Sequence, residues 1–329
     1  MRFCIIGAGA MGGLYGGRLA LAGHDVAFID ANPETVAAIR QHGLKLQGVG
    51  GDHVIRAPVA REPGELDDGL HRAEVALIHT DTNNTRDAAL RAAAVLGDDG
   101  FAVTLQNGIG NVEILQEVLG PARTAGGISY HSAASPEPSV SLHTNDGKTF
   151  LGELDGSHSA RIERLAGAIA ETGMTVEVSE RIEAVIWTKF LVNCAVNPLA
   201  AISGLRVGEL ASTPEANTFQ DRILDEAMRV INAKGIRLTY DDPVAAIKRL
   251  TSRSYNKPSM LQHMEQGRPT EIDALNGALV REGRAMGVAT PFNEALTLLV
   301  KARNRHTIQA LHGEPVDYQA LEKAAQADG

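Results

Sequence analysis

A chain of 329 residues, 44% apolar and 22% charged, is long enough for two domains with separate cores. No stretch has the bias or period of disorder, collagen or coiled coil. The formal net charge is -9, and all of it falls in residues 1–178, which hold 13 basic and 22 acidic residues, whereas 179–329 balance 18 against 18. No basic face is on offer for nucleic acid or an anionic membrane, so neither is an expected partner. No uninterrupted apolar run reaches about 18 residues, so no membrane span is expected. The strand pattern that begins at Arg2 leaves no room for a signal peptide, and the two cysteines, Cys4 and Cys194, sit in apolar runs as small hydrophobes; both points predict a cytoplasmic protein.

In chain order, the first half alternates short apolar runs with helical stretches. Strands are predicted at 3–6, 26–29, 75–78, 102–105 and 124–128. Continuous apolar runs of this length suit strands buried on both faces, as in a parallel sheet. Helices are predicted between them at 10–22, 33–42, 85–96 and 110–118, with Asn32 as N-cap and Pro33 in the first turn of the second. Residues 138–154 read as a hairpin, 140–142 and 149–151 flanking the turn Asn145-Asp146-Gly147. After about residue 178 the strand signal vanishes. Helices are predicted at 181–197, 213–234, 242–252, 270–286 and 291–304, with Gly235 and Gly287 as stops and Pro198 ending or bending the first. Residues 313–329 form a polar tail. The order is that of an α/β protein: a doubly wound sheet in residues 1–178 and an all-helical domain in 179–329.

Gly7-Ala8-Gly9-Ala10-Met11-Gly12 is a G-x-G-x-x-G run between the first strand and the first helix. Gly7 permits the tight turn, Gly9 lets backbone approach a pyrophosphate at the helix N-terminus, and Gly12 lets helix and strand pack closely. In this setting the run predicts a Rossmann-type dinucleotide site. Asp30 ends the second strand 23 residues after Gly7, near the position of the acid that accepts hydrogen bonds from the adenosine ribose. An N-cap or turn aspartate is the plainer reading of the same residue.

In the apolar stretch 186–198, Lys189, Asn193 and Asn197 recur at i, i+4 and i+8 and line one side of a helix. A lysine amid Trp187, Phe190 and Leu191 either snorkels to solvent or sits in a cleft. Two asparagines on the same stripe tip the balance toward a cleft, because buried amides need partners. Ser259, in the stretch after Asn256, can donate to a carboxylate, and Glu271 can pair with a lysine. A loop hydroxyl and a first-turn glutamate capped by Thr270 are the plainer readings, and spacing alone does not overturn them.

Together, the glycine run, Gln106-Asn107-Gly108, Trp187-x-Lys189-x-x-x-Asn193-x-x-x-Asn197-Pro198, Ser259-Met260-Leu261-Gln262 and Thr270-Glu271-Ile272-Asp273 resemble the ketopantoate reductase (2-dehydropantoate 2-reductase) family, in family order from residue 1 to about 305. The resemblance implies NAD(P)-dependent reduction of a small 2-oxo acid to a 2-hydroxy acid. It implies Lys189 as proton donor and Glu271 as organiser of the site. It implies Asn193, Asn197 and Asn256 lining the substrate pocket, Ser259 on the carboxylate and Asn107 between nicotinamide and substrate. Three positions depart from the family. Asp30 stands where a basic residue usually holds the 2'-phosphate of NADP, Asp81 where a lysine is common, and Val207 where a further pocket asparagine precedes Gly-Glu-Leu. The first two predict NAD as the preferred cofactor, with NADP as the alternative. The third keeps a second substrate reading open, that of an NAD-dependent D-2-hydroxy acid dehydrogenase of the mandelate type. A non-catalytic dinucleotide sensor is the reading from another class, and it would have no use for Lys189. No metal-ligand spacing is present, and the reading admits a homodimer.

Overall fold

The structure is a computed structural model that describes residues 1–66 and 72–327; the last two positions of the polar tail lie outside them. The elements are β1 (Arg2–Ile6), α1 (Ala10–Leu21), β2 (Asp25–Ile29), α2 (Pro33–His42), β3 (Leu44–Gly48), β4 (His53–Ile55), β5 (Val59–Ala60), β6 (Ala73–Ile78), α3 (Thr85–Val95), β7 (Leu96–Thr104), α4 (Asn111–Leu119), β8 (Thr124–Ser129), β9 (Ser132–Ala134), β10 (Val140–Asn145), β11 (Lys148–Gly152), α5 (Ala160–Glu171), β12 (Thr175–Val178) and α6 (Ile182–Ser203). Then follow α7 (Val207–Ser212), α8 (Pro214–Ala233), α9 (Pro243–Thr251), α10 (Ser259–Glu265), α11 (Asn276–Ala285), α12 (Pro291–His312) and α13 (Tyr318–Ala327). They form two compact units: residues 1–190 with 236–241, and residues 191–235 with 242–329.

In the first unit, among the described residues, eight strands make the main sheet in the order β12-β11-β8-β7-β6-β1-β2-β5. From β5 to β8 every pairing is parallel, and β11 turns antiparallel to β8. The reason for the continuous apolar runs is visible in β1. Phe3 and Ile5 pack into one buried cluster with Leu14, Tyr15 and Leu19 of α1, while Cys4 and Ile6 pack into another with Ala88 and Ala92 of α3. Each large side chain fully buried this way contributes about 1.5–3 kcal/mol. The predicted cap of α2 forms, with the Asn32 side chain accepting from the Glu34 N–H ahead of Pro33 at the first position.

The hairpin expected over 138–154 does not form. Strand β10 joins a second, four-stranded sheet of order β4-β3-β10-β9, and β11 enters the main sheet between β8 and β12. Gly147 lies where the chain crosses from one sheet to the other. A Cβ there would sit 2.2 Å from the Tyr130 carbonyl oxygen, and its N–H donates to His131 Nδ1 at 3.0 Å. The turn signal was local, and non-local partners outcompeted it.

The second unit is helical throughout its described residues. Three boundaries differ from expectation. Helix α6 continues through Pro198 to Ser203, and α12 runs on to His312. The span 270–286 is a short turn at Ile272–Ala274, a break at Leu275 (φ -102°, ψ -106°) and then α11. By length and composition α6 could also cross a membrane, although Glu183 and Lys189 interrupt its apolar run; 72% of its apolar window is buried within the protein.

Candidate active site

The glycine run sits at the C-terminal end of β1. Gly7 has φ +98°, a conformation closed to most side chains, and a Cβ would approach the His79 carbonyl to 2.9 Å. A Cβ on Gly12 would lie 1.8 Å from the Gly7 oxygen, so only glycine allows α1 to start so close to the turn. Beyond Gly9 the space is open, with no atom within 4 Å of an added Cβ. Helix α1 has no side-chain cap, so the backbone N–H groups of its first turn, from Ala10, Met11 and Gly12, remain for an anion. Asp30 is half-buried. One carboxylate oxygen accepts from the Ala8 N–H at 2.6 Å and the other from the Asn32 N–H at 2.8 Å. Each oxygen keeps acceptor capacity beyond that bond. A pyrophosphate at the helix start and a ribose at Asp30 therefore fit the residues present. Asp81 is exposed, and its carbonyl accepts from the Asn84 N–H at 2.9 Å.

Asn107 follows β7 in a loop fixed by buried polar groups. Gln106 Nε2 donates to the Thr80 carbonyl at 2.8 Å, and Gln106 Oε1 accepts from Thr104 Oγ1 at 2.8 Å. Asn111 Oδ1 accepts from Thr85 Oγ1 at 2.9 Å, while Asn111 Nδ2 donates to the Asn107 carbonyl at 2.9 Å. A recess of about 160 Å³ opens beside this loop, walled by Gln106, Gly108, Asn111, Ile186 and Trp187. The sequence reading passed over Asn111. Its signal was its place as the first residue of a helix just after Gly110.

Lys189 is half-buried in α6, and its ammonium donates to the Ser129 carbonyl at the end of β8. The Tyr130 ring lies beside it, 5.1 Å from Nζ to the centroid. The Ser129 side chain bonds to Tyr15 of α1, whose hydroxyl also meets Thr149 Oγ1 at 2.6 Å. Burial pushes the Tyr15 phenol up to about 12, so it stays protonated. His79 stacks on Tyr15 at 4.9 Å, and burial pushes its imidazole down to about 3, so the wall behind the glycine turn carries no charge near neutrality.

In the second unit Asn193 is half-buried and Asn197 buried on the continuation of α6. Val196, Leu199 and Ala200 of that helix share a buried cluster with Val207 and Leu210 of α7 and Leu261 of α10. The Val207 N–H donates to the Asn256 carbonyl at 3.4 Å, so the divergent Val207 and the loop bearing Asn256 are neighbours. Asn256 and Ser259 are exposed; Ser259 opens α10. Glu271 is half-buried ahead of the turn Ile272–Ala274, in a segment tied to α12 by the Thr270 N–H donating to Asn304 Oδ1 at 3.2 Å. Thr270 does not cap an α-helix there.

Comparison with known proteins fits both units. Residues 3–156 match the family described as ketopantoate reductase PanE/ApbA, and residues 181–304 match its C-terminal region. The 2-dehydropantoate 2-reductase of Archaeoglobus fulgidus is 31% identical over 300 residues, 91% of this chain and 97% of that protein. The crystal structure of a PanE/ApbA family ketopantoate reductase from Ralstonia eutropha superposes with a TM-score of 0.84 at 30% identity, over 93% of this chain and 99% of that one. A ternary structure of D-mandelate dehydrogenase with NADH and anilino(oxo)acetate gives 0.84 at 27% identity, over the same shares. With its motifs in order and both regions matched, this chain belongs to the ketopantoate reductase family of oxidoreductases.

Proposed function

We propose that the protein reduces 2-dehydropantoate, a 2-oxo acid, to pantoate with NADH as the preferred reductant. In this reading residues 1–178 bind the dinucleotide and residues 179–329 supply the helical substrate domain. The observation that carries it is the Lys189 ammonium on an apolar helix, held by the Ser129 carbonyl. A nicotinamide cofactor, when bound, would supply the hydride that reduces the carbonyl. Lys189 delivers a proton to the carbonyl oxygen as negative charge develops there, so its stabilisation grows toward the transition state. Asn193, Asn197, Asn256 and Ser259 donate to the substrate's polar groups, and Glu271 takes the organising role of the family's glutamate. Gly7 to Gly12 would receive the pyrophosphate, and Asn107 would stand on the nicotinamide side. Cys4 and Cys194 are free, fully buried thiols, which suits a reducing cytoplasm.

Asp30 and the exposed Asp81 support NAD over NADP, since a 2'-phosphate would bring about two negative charges beside carboxylates. Val207 supports a second substrate reading, a D-2-hydroxy acid dehydrogenase for branched or aromatic 2-oxo acids. The test is kcat/KM for 2-dehydropantoate and for branched and aromatic 2-oxo acids with NADH and NADPH, in the wild type and in Asp30→Arg. We expect 2-dehydropantoate and NADH to be preferred, and Asp30→Arg to move the cofactor ratio toward NADPH by about tenfold or more. The ratio is the proper readout, because Asp30 also braces the Ala8 N–H and its loss weakens both cofactors. A wild type that favours NADPH, or a ratio that Asp30→Arg leaves in place, would overturn the cofactor reading; a preference for an aromatic acid would favour the second substrate.

A further inference from the structure

Helix α6 passes through Pro198 without ending. Proline has no N–H, so the carbonyl four residues earlier, that of Cys194, loses its helical partner, and the ring crowds it. Cys194 is fully buried, and a buried carbonyl without a partner is costly. Here it accepts from Asn276 Nδ2 of α11 at 3.1 Å. The next carbonyl, of Ala195, accepts from Gln220 Nε2 of α8 at 3.2 Å. Asn276 and Gln220 are both 0% exposed.

The Asn276 amide is itself fixed. Its Nδ2 also donates to Asn293 Oδ1 at 2.9 Å, and Asn293 Nδ2 donates to the Glu226 carboxylate at 2.7 Å. Glu226, 1% exposed, further accepts from the Phe292 and Asn293 N–H groups at 2.9 Å each, at the start of α12 where a helix favours negative charge. Side chains of α8, α11 and α12 thus form a buried polar chain that ends on the turn of α6 where its own ladder is broken. That turn carries Asn197 and follows directly from Asn193.

We propose that Asn276 is a positioning residue for the reductase reaction. By holding the Cys194 carbonyl, it fixes the opened turn at Pro198 and with it the direction of the Asn193 and Asn197 amides. The proposal rests on the reading of those two asparagines as substrate-binding. An alanine at position 198 would restore the helical bond and make the amide unnecessary. Proline and Asn276 therefore act as a pair that sets one geometry for the substrate face.

The test is steady-state kinetics of the full chain, with NADH dissociation constants measured alongside. Asn276→Ala should raise KM for the 2-oxo acid about tenfold, change kcat by less than about threefold and leave NADH binding unchanged. In Pro198→Ala/Asn276→Ala the KM should return to within about twofold of wild type, because the new N–H serves the Cys194 carbonyl. A folded Asn276→Ala with unchanged KM overturns the proposal, as does a double variant no better than the single. If Asn276→Ala does not fold, a folded double variant with near-normal KM supports the proposal, and a double variant that also fails to fold overturns it. Asn193→Ala and Asn197→Ala are measured in parallel. Unmoved KM in both overturns the substrate-site reading itself, whereas raised KM there with normal KM in Asn276→Ala overturns the positioning role alone.

Discussion

The ammonium of Lys189 has three donors, and its bond to the Ser129 carbonyl with the Tyr130 ring alongside gives it a fixed seat rather than a free arc. Lys189→Ala should lower kcat by about 10²–10⁴-fold, the loss typical of a removed acid, with NADH affinity little changed. Near-normal turnover in a folded variant would remove Lys189 from the chemistry. The stripe Lys189, Asn193, Asn197 was legible because helical spacing is a local rule. Ser129 and Tyr130 were not legible. They lie about sixty residues earlier, and only the sheet places the end of β8 beside α6. Likewise Asn276 carries no sign of its task in sequence, since its partner carbonyl is 82 residues away.

Among the elements, α1 starts so close to the end of β1 that a Cβ on Gly12 would run into the Gly7 carbonyl. Gly12→Ala would force backbone atoms apart, since the obstacle at 1.8 Å is main chain and not a flexible side chain. We expect NADH affinity to fall at least about tenfold and stability to drop by about 1–3 kcal/mol, read by calorimetric titration and by thermal melting. Wild-type affinity in this variant would show that the close approach is dispensable. The parallel strands were legible because each must bury both faces and so reads as an unbroken apolar run. Strands β3, β4 and β9 are short, partly exposed and lack such runs. Helix α5 did carry a signal that the reading passed over, with buried Ile162, Leu165, Ala166 and Ile169 at helical spacing.

At the scale of the molecule, acid stability has an identifiable contributor. Glu153, 7% exposed, accepts from Arg161 Nε and Nη2 at 2.6 Å each and from the Ser159 hydroxyl. Burial works to raise its pKa, but the Arg161 and Ser159 bonds outweigh it and hold the carboxyl below its ordinary value. A carboxyl depressed in the folded state stabilises above the unfolded pKa of about 4.3, and that stabilisation is lost as pH falls through the folded value. Melting temperatures across pH 2–7 should therefore show wild type and Glu153→Gln converging below about pH 4. A constant gap over that range would mean that the charge of Glu153 is not what stabilises. The α/β plan with a helical second half was legible in the change of period near residue 178. That the compact units part between Phe190 and Leu191, within one helix, was not, because a helix reads the same on both sides of such a boundary.

Before the chain folds, α6 is a 22-residue segment with a window of mean hydropathy 1.4. By length and hydropathy the segment qualifies as a spanning helix at a point in synthesis when α8, α11 and α12 have yet to be made. Lys189 is then the main objection to insertion, since a lysine near the middle of a spanning helix costs about 2.5–3.5 kcal/mol. The same ammonium raises the cost of placing α6 in a bilayer. With that cost removed, we expect part of any loss of yield in Lys189→Ala to appear in the membrane fraction on cell fractionation, and none there would set this consequence aside.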